Sequence, residues 1–108
     1  AKLLLSKMNE LCKGVPVILS GDLNATKDDA PIKYLAESDA VVDSRSVAKK
    51  VMGGDSSFHN FGKTKGGIID YIFVTKDIDV KSSEIITYQH KGIYLSDHNP
   101  IIANIKLK

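Results

Sequence analysis

Apolar residues recur every three or four positions near the start of the chain, which is the spacing of one face of a helix. This pattern predicts a helix from Lys2 to Lys13, with Gly14 as its C-cap. A short apolar and β-branched run from Val15 to Ser20 then predicts a buried strand. The segment Ala30 to Leu35 is predicted to start a second helix, because acidic residues precede it and a proline lies in its first turn.

The second half of the chain has the shorter apolar runs that are typical of strands. The strongest strand prediction is Ile68 to Val74, followed by the more polar run Asp79 to Tyr88 and by Pro100 to Leu107. The mixed polar stretch from Ser38 to Ser57 predicts a surface excursion. We expect it to contain one helical turn, around Val47 to Val51.

A chain of 108 residues has room for at most one domain. The order of the predicted elements indicates an α/β or α+β class with a mixed sheet. Phe58 to Phe61 is a further candidate for a short strand. The net charge of +2 is too small to indicate a nucleic-acid or membrane partner by itself. No apolar run is long enough to cross a bilayer.

The chain opens at Ala1 and enters a helical pattern at once, with no capping residue in front of it. We therefore interpret its N-terminus as cut from a longer protein. A targeting segment would have been lost with the missing part, so the compartment stays open.

Four short segments place acidic, amide or imidazole groups beside predicted strands. They are Gly21-Asp22-Leu23-Asn24, Phe58-His59-Asn60-Phe61, Ile69-Asp70-Tyr71-Ile72-Phe73 and Ser96-Asp97-His98-Asn99-Pro100. Strand ends are rigid, so reactive groups placed there keep a fixed geometry. Brought to one rim, three aspartates, an asparagine and one or two histidines would form a site for a hard metal ion and for acid–base chemistry on phosphate esters.

The first segment has two interpretations. Asp22 is a candidate to hold or activate a water, and Asn24 is a candidate to donate an amide hydrogen bond to a phosphate oxygen. Glycine, aspartate and asparagine are also ordinary turn residues, so the segment by itself favours a turn.

Asp70 lies within an apolar strand, where a carboxylate is costly to bury without a cation, a metal or an imidazole N–H beside it. The alternative is an aspartate at a strand end that faces solvent. A bend at Asp97 and His98 would turn Asp97 towards a metal and His98 towards a phosphate or a water. We expect Asp70 to fix the tautomer of His98.

The remaining polar candidates are less specific. His59 is either a contact for a substrate phosphate or a structural hydrogen-bonding residue. His90 has no convergent partner in the sequence and is interpreted as a solvated loop residue. Several cations could line an entrance for an anionic substrate, although such residues usually form a solvated face: Arg45, Lys49, Lys50, Lys63 and Lys65.

In combination, these segments resemble the endonuclease/exonuclease/phosphatase superfamily of metal-dependent phosphohydrolases, which includes abasic-site endonucleases, deadenylases, inositol-polyphosphate phosphatases and sphingomyelinases. Gly21 to Asn24 match its Gly-Asp-x-Asn segment, Ile69 to Tyr71 its Ile-Asp-Tyr strand, and Ser96 to His98 its closing Ser-Asp-His. Phe58 to Phe61 resembles a Thr-Phe-His-Gly-Phe-like segment of bacterial members of undefined substrate, in which the histidine, here His59, would face the phosphate. The matches occur in order and extend over nearly the whole chain.

The resemblance implies a role for each of the other matched residues. Asp22 would position the attacking water or protonate the leaving oxygen, and Asn24 would bind the scissile phosphate. Asp97 would help to hold Mg²⁺ or Mn²⁺. His98, oriented by Asp70, would stabilise the developing charge or act as a base.

The resemblance also implies the architecture, a four-layer α/β/β/α sandwich in which helices flank two packed, mostly antiparallel sheets. Residues 1–108 would be the C-terminal half of that domain. The missing N-terminal half would carry an Asn and a Glu metal ligand and another His. We expect the half-domain to expose an apolar sheet face, to fold poorly alone and to be inactive. The stretch Asp43 to Phe61 lacks the tryptophans typical of abasic-site endonucleases, which argues against that substrate.

Three hypotheses follow for the function. The first is a fragment of a divalent-metal-dependent phosphoester hydrolase, a nuclease or a phosphatase, that directs a water at a phosphate ester in line. Nucleic acid, lipid, sugar and inositol phosphates are all candidate substrates. The second is an interaction module that keeps the fold but has lost catalysis. The third is an unrelated small α/β domain, in which the aspartates and His98 would lie dispersed over the surface.

Overall fold

The computed structural model describes residues 1–107, which form three helices and six strands arranged in two small sheets. The helices are α1 (Lys2–Leu11), α2 (Ala30–Glu37) and α3 (Ser44–Val47). The strands are β1 (Ile18–Asp22), β2 (Val42–Asp43), β3 (Lys50–Gly53), β4 (Asp70–Val74), β5 (Ile78–Ile85) and β6 (Ile101–Leu107).

The two sheets have three strands each. The first sheet has the order β1-β4-β2 and is antiparallel throughout. The second sheet has the order β3-β5-β6, in which β3 runs parallel to β5 and β6 runs antiparallel to it. The mixed α/β class with mostly antiparallel sheets and flanking helices is thereby confirmed.

Two apolar clusters hold the layers together. The larger cluster packs α1 and α2 against the first sheet, and its buried members include Leu5, Ile32, Leu35, Val41, Tyr71 and Phe73. The smaller cluster lies between the sheets and includes Val74, Ile78 and Val80, with Ile72 and Ile105 packed against it. Because side chains alternate along a strand, β4 contacts the helices with one face and the second sheet with the other. β4 is therefore the central strand of the first sheet and contributes side chains to both apolar clusters.

The stretch between α2 and Phe58 differs most from its prediction. Instead of a surface excursion with a helical turn around Val47 to Val51, it contains β2, α3 and β3, and the helical turn ends at Val47. Val41, Ser44 and Ser57 are buried. Single buried residues separated by polar ones give no periodic apolar pattern, so the composition of the stretch was misleading.

The strand β1 also differs from its prediction. It runs from Ile18 to Asp22 rather than from Val15 to Ser20, and it is mostly exposed rather than buried, with Ile18 51% exposed. Its apolar residues suit burial, but β1 lies at the edge of the first sheet and pairs there only with β4. Asp22 is therefore the last residue of the strand, at the point where the following turn begins.

The short strand predicted at Phe58 to Phe61 is wrong. Phe58 makes an isolated bridge to His98, and Asn60 and Phe61 have the positive φ angles of a turn, 49° and 55°. The first helix is also shorter than predicted, since its C-cap is Cys12 and not Gly14. The three other predicted strands are confirmed, with shorter bounds, as β4, β5 and β6. None of the helices within residues 1–107 is long and apolar enough to cross a membrane.

Tyr71 ties the first sheet to the loop that follows β1. Its hydroxyl donates to the carbonyl oxygen of Ala25 at 2.8 Å and also lies 3.0 Å from that of Ile68. Tyr71 is 3% exposed. Burial raises the pKa of its phenol to about 12, and nearby aspartates add to the effect. The loop after Asp22 and the residues before Asp70 are thus held by one side chain.

We predict that Tyr71→Phe, made in the intact protein that contains this chain, lowers the free energy of unfolding by about 1–3 kcal/mol, because the buried hydrogen bond to the carbonyl oxygen of Ala25 is lost. The raised pKa favours the neutral phenol in the folded state, so its contribution is complete below pH 10 and is lost as the pH rises through about 12. Urea denaturation at neutral pH and across this interval measures both effects.

Tyr34→Phe is the matched control for this prediction. Tyr34 is 41% exposed, and its hydroxyl makes no hydrogen bond within residues 1–107. We expect it to change the free energy of unfolding by less than about 0.5 kcal/mol. Equal losses in the two variants would contradict the role given to the Tyr71 hydroxyl.

Candidate active site

Two aspartates face each other across the first sheet. Asp22 ends β1 and Asp70 begins β4, and the antiparallel register places the two residues directly opposite each other. Like charges at such positions on neighbouring strands repel each other. The pair therefore requires a donor or a cation between its carboxylates.

The imidazole of His98 lies between these two carboxylates. Its Nδ1 is 2.7 Å from Asp70 Oδ2, and its Nε2 is 3.7 Å from Asp22 Oδ2. Because an ionised carboxylate only accepts hydrogen bonds, the short contact assigns the donor N–H to Nδ1. Nε2 then faces Asp22. The expectation that Asp70 fixes the tautomer of His98 agrees with this geometry.

The charge of the His98 ring is stabilised by its surroundings. The hydrogen bond to Asp70 raises the pKa of His98, and the charges of Asp70, Asp97 and Asp22 raise it further, while partial burial opposes them. The imidazolium is therefore favoured beyond its ordinary range of pH. The ring can supply positive charge to an anion that reaches its Nε2 side.

Asp97 adds a third carboxylate on the solvent side of the ring. Its Oδ1 lies 4.0 Å from His98 Nε2, and its side chain is 44% exposed, close to the 39% of Asp22. Asp70 is only 17% exposed, and its Oδ2 is the partner of His98 Nδ1. Asp22 and Asp97 are thus the carboxylates that a ligand can reach.

The donor set fits a hard divalent cation. Ligand atoms of Asp22, Asp70 and His98 all lie within 4.8 Å of one another. Because the imidazolium of His98 has no free nitrogen, the groups that can bind an ion here are the carboxylates of Asp22 and Asp70. Carboxylate oxygens are the ligands that Mg²⁺ and Mn²⁺ prefer. Asp97, the metal ligand expected from the sequence, lies outside this group of three but beside its His98.

Asn24 lies in a tight turn directly after β1. Its backbone N–H donates to Asp22 Oδ1 at 2.9 Å, and its φ angle is 50°. The turn predicted for this segment is therefore present, and it also holds the Asp22 carboxylate in place with Oδ2 directed at His98. The Asn24 side chain is exposed and makes no hydrogen bond within residues 1–107, so its carboxamide is available to a ligand.

His59 lies next to this cluster but outside it. Its backbone N–H donates to the carbonyl oxygen of Asp97 at 3.0 Å, and its ring packs on Tyr94 with the centroids 4.2 Å apart. Its Nδ1 accepts the N–H of Gly62 at 3.1 Å, so the ring proton is on Nε2. The structural hydrogen bond considered for His59 is thus present, and only Nε2 is left for contact with a substrate.

Arg45 does not contribute to the predicted cationic entrance. Arg45 donates from Nη2 to the carbonyl oxygen of Gly54 at 3.3 Å, and its Nη1 is buried without a partner. The guanidinium is therefore directed into the fold and not towards an incoming anion. His90 lies in an exposed loop with its Nδ1 3.3 Å from the hydroxyl of Tyr88, as suits the loop residue expected from the sequence.

Sequence reasoning missed Ser57, which is fully buried between the strand of Asp70 and the segment of His98. It also missed Phe58, whose ring meets the His98 ring edge-on with the centroids 5.1 Å apart. The only signal was a serine and a phenylalanine directly before His59, which a single sequence does not distinguish from an ordinary loop.

The chain thus combines a mixed α/β fold with two aspartates and a histidine gathered at one end of its first sheet. Residues 1–98 match the model of the Endonuclease/Exonuclease/phosphatase family. A solved endonuclease/exonuclease/phosphatase from Bacteroides vulgatus is 32% identical with a TM-score of 0.91, over 99% of this chain and 42% of that chain. The chain belongs to the endonuclease/exonuclease/phosphatase family, a hydrolytic family that includes nucleases and phosphatases.

Two further solved structures have the same fold. A mannosyl-6-phosphatase from Bacteroides thetaiotaomicron is 25% identical with a TM-score of 0.85, over 98% of this chain and 44% of that chain. A functionally unknown conserved protein from Enterococcus faecalis is 26% identical with a TM-score of 0.85, over 99% of this chain and 42% of that chain. The chain thus spans about two-fifths of the length of these structures. No curated protein sequence matches it. An unrelated α/β domain, the third hypothesis, is excluded.

We predict that Asp70→Asn lowers the pKa of His98, because the ring loses its charged hydrogen-bond partner. NMR titration of the His98 ring in the metal-free intact protein measures the change. Asp77→Asn is the control, because Asp77 follows β4 at its other end, where its carboxylate accepts from Thr75. An equal decrease of the His98 pKa in both variants would contradict the assignment of Asp70 as the group that raises it.

Proposed function

We propose that residues 1–108 are the C-terminal half of a divalent-metal-dependent phosphoester hydrolase, which directs a water at a phosphate ester in line. The observation that carries the proposal is the His98 ring held between Asp22 and Asp70 at the end of the first sheet. Membership of a hydrolytic family that includes nucleases and phosphatases supports it.

Asp97 is the metal ligand that this half contributes, since its carboxylate is exposed and lies beside the His98 ring. Asp22 belongs to the neighbouring group of Asp22, Asp70 and His98, which Asp97 adjoins through the His98 ring. When bound, Mg²⁺ or Mn²⁺ would polarise the phosphate and offset its charge. The preceding half of the domain would complete the ligand set, as the resemblance of the sequence to the family implies.

Asp22 and Asn24 act on different groups: Asp22 on the attacking water or the leaving oxygen, and Asn24 on the phosphate. The Asp22 carboxylate, fixed by the Asn24 N–H, accepts a hydrogen bond from the attacking water or passes a proton to the leaving oxygen. The carboxamide of Asn24 has no partner within the described residues and donates to a non-bridging phosphate oxygen. Their adjacency places the nucleophile or leaving group close to the phosphate.

His98 supplies positive charge where negative charge develops. Asp70 holds its Nδ1–H and favours the imidazolium, so Nε2–H is a charged donor on the side of the ring that faces Asp22 and Asp97. His59 contributes a hydrogen-bond donor through Nε2–H, on the ring nitrogen that its bond with Gly62 leaves free. In this arrangement Asp70 does not contact the substrate; it acts through His98.

A sugar phosphate is the first substrate class to test. The solved mannosyl-6-phosphatase is 25% identical over nearly the whole of this chain. The chain also contains no tryptophan, which is among the residues that stack on nucleobases. Nucleic acids and lipid or inositol phosphates form the comparison set in the same assay.

We predict that Asp97→Asn and His98→Ala each lower kcat/KM of the intact enzyme by about 10²–10⁴-fold, because the first removes a metal ligand and the second removes the positive charge that faces the phosphate. Mg²⁺-dependent hydrolysis of 4-nitrophenyl phosphate, bis(4-nitrophenyl) phosphate and a hexose 6-phosphate measures the loss. Asp55→Asn and His90→Ala are the controls, since both residues are exposed and neither contacts the cluster. Near-normal turnover in both site variants would refute the roles given to Asp97 and His98. Absence of Mg²⁺-dependent turnover by the intact parent protein would favour an interaction module.

We predict that residues 1–108 alone show no Mg²⁺-dependent hydrolysis of these esters, because one half of the domain provides an incomplete metal shell. The intact protein should be active, and a chelator should abolish its activity until Mg²⁺ or Mn²⁺ is restored. Turnover by the isolated chain would show that residues 1–108 hold the complete site.

A further inference from the structure

Ser57 lies behind the site, with no exposed surface. Its Oγ accepts two backbone N–H groups, those of Ile69 at 2.9 Å and of Asp70 at 3.1 Å. These donors belong to the residue that begins β4 and to its predecessor. One hydroxyl therefore fixes the main chain at the point where the Asp70 side chain leaves it.

The main chain of Ser57 is bonded to the segment that carries His98. Its carbonyl oxygen accepts the N–H of Asn99 at 2.7 Å, and the carbonyl oxygen of Asp97 accepts the N–H of His59 at 3.0 Å. His98 lies between these two bonds, and Phe58 lies opposite it in the bridge. The backbone of His98 is thus held on both sides by residues that neighbour Ser57.

The two sets of contacts meet at one residue. The hydroxyl of Ser57 locates Asp70, and its carbonyl group locates the segment of His98, whose Nδ1 lies 2.7 Å from Asp70 Oδ2. A hydrogen bond of that length depends closely on the relative position of β4 and the segment that carries His98. Ser57 is the residue that the structure bonds to both of them.

We propose that Ser57 is a positioning residue for catalysis, which acts by holding Asp70 against His98. The proposal rests on the proposed function, in which the Asp70–His98 pair stabilises charge on the phosphate. Ser57 itself does not contact the substrate, because it is fully buried. Without the hydroxyl, two partly buried N–H groups lose their acceptor, and the start of β4 is free to move away from His98.

The test is a double-mutant cycle in the intact enzyme with 4-nitrophenyl phosphate and Mg²⁺. We expect Ser57→Ala to lower kcat about tenfold and to leave KM within about twofold, because the lost interaction acts in the transition state. In an Asp70→Asn background the same change should lower kcat by less than about twofold, because the group through which Ser57 acts is already lost.

Ser56→Ala is the matched control. The Ser56 hydroxyl donates to the carbonyl oxygens of Phe58 and Gly67, at 2.9 and 3.1 Å, and so stabilises the same segment without contact to Asp70. We expect kcat to stay within about twofold of the parent, as for a change that touches no catalytic group. Equal losses for Ser56→Ala and Ser57→Ala would overturn the proposal, because a structural role of the segment would then explain both.

A second pair of variants separates the hydroxyl from the volume of the side chain. Ser57→Thr keeps an oxygen acceptor, and Ser57→Val has the same shape without it. We expect the Thr variant to turn over about tenfold faster than the Val variant. Equal turnover in two variants with matched melting temperatures would overturn the proposal, even if Ser57→Ala fails to fold.

The outcomes for Ser57 and for the proposed function are distinct. An Asp70→Asn variant with parental kcat would refute the role of the Asp70–His98 pair and, with it, the proposal for Ser57. A large loss in Asp70→Asn with none in Ser57→Ala would overturn the Ser57 proposal alone. Full additivity of the two changes would also overturn it, since Ser57 would then act independently of Asp70.

Discussion

The contact on which the site depends is the imidazole of His98 between two aspartates that face each other across a sheet. The register of β1 against β4 brings Asp22 and Asp70 together, and the ring lies between their carboxylates, where it offsets the repulsion between them. The position of His98 in turn depends on the bend between Ser96 and Asn99. Three distant parts of the sequence are thus linked by a single side chain.

Two buried polar side chains, Tyr71 and Ser57, support this contact through hydrogen bonds to the main chain. Tyr71 joins the loop after β1 to the residues before β4, and Ser57 joins the start of β4 to the segment of His98. Both side chains are buried and bonded to the main chain. The exposed groups, Asp22, Asn24 and Asp97, need no mobility to reach a ligand. The framework determines where they lie, which is the condition for preorganised electrostatic catalysis.

The sequence predicts what depends on local pattern and on recognisable motifs. The strand that carries Asp70 is predicted because its apolar residues are consecutive, and the pairing of Asp70 with His98 because a buried carboxylate requires a donor. The elements β2, α3 and β3 are not predictable in this way, since their contacts are made by isolated residues such as Ser44. Ser57 lies in the same polar stretch, and nothing in its neighbours signals burial. Arg45 is misplaced for the same reason, because a lone arginine among lysines suggests solvent.

The strand β1 is an edge strand with two unlike ends. At one end lies Ile18, which is half exposed and apolar, and at the other lies Asp22, which carries a charge beside the His98 ring. Unpaired strand edges recruit further strands, and charged residues discourage such pairing. A strand that extends this sheet would therefore find its favourable contacts at the Ile18 end and be repelled at the other. Growth of the sheet and access to the aspartates are compatible because they involve opposite ends of the same five residues.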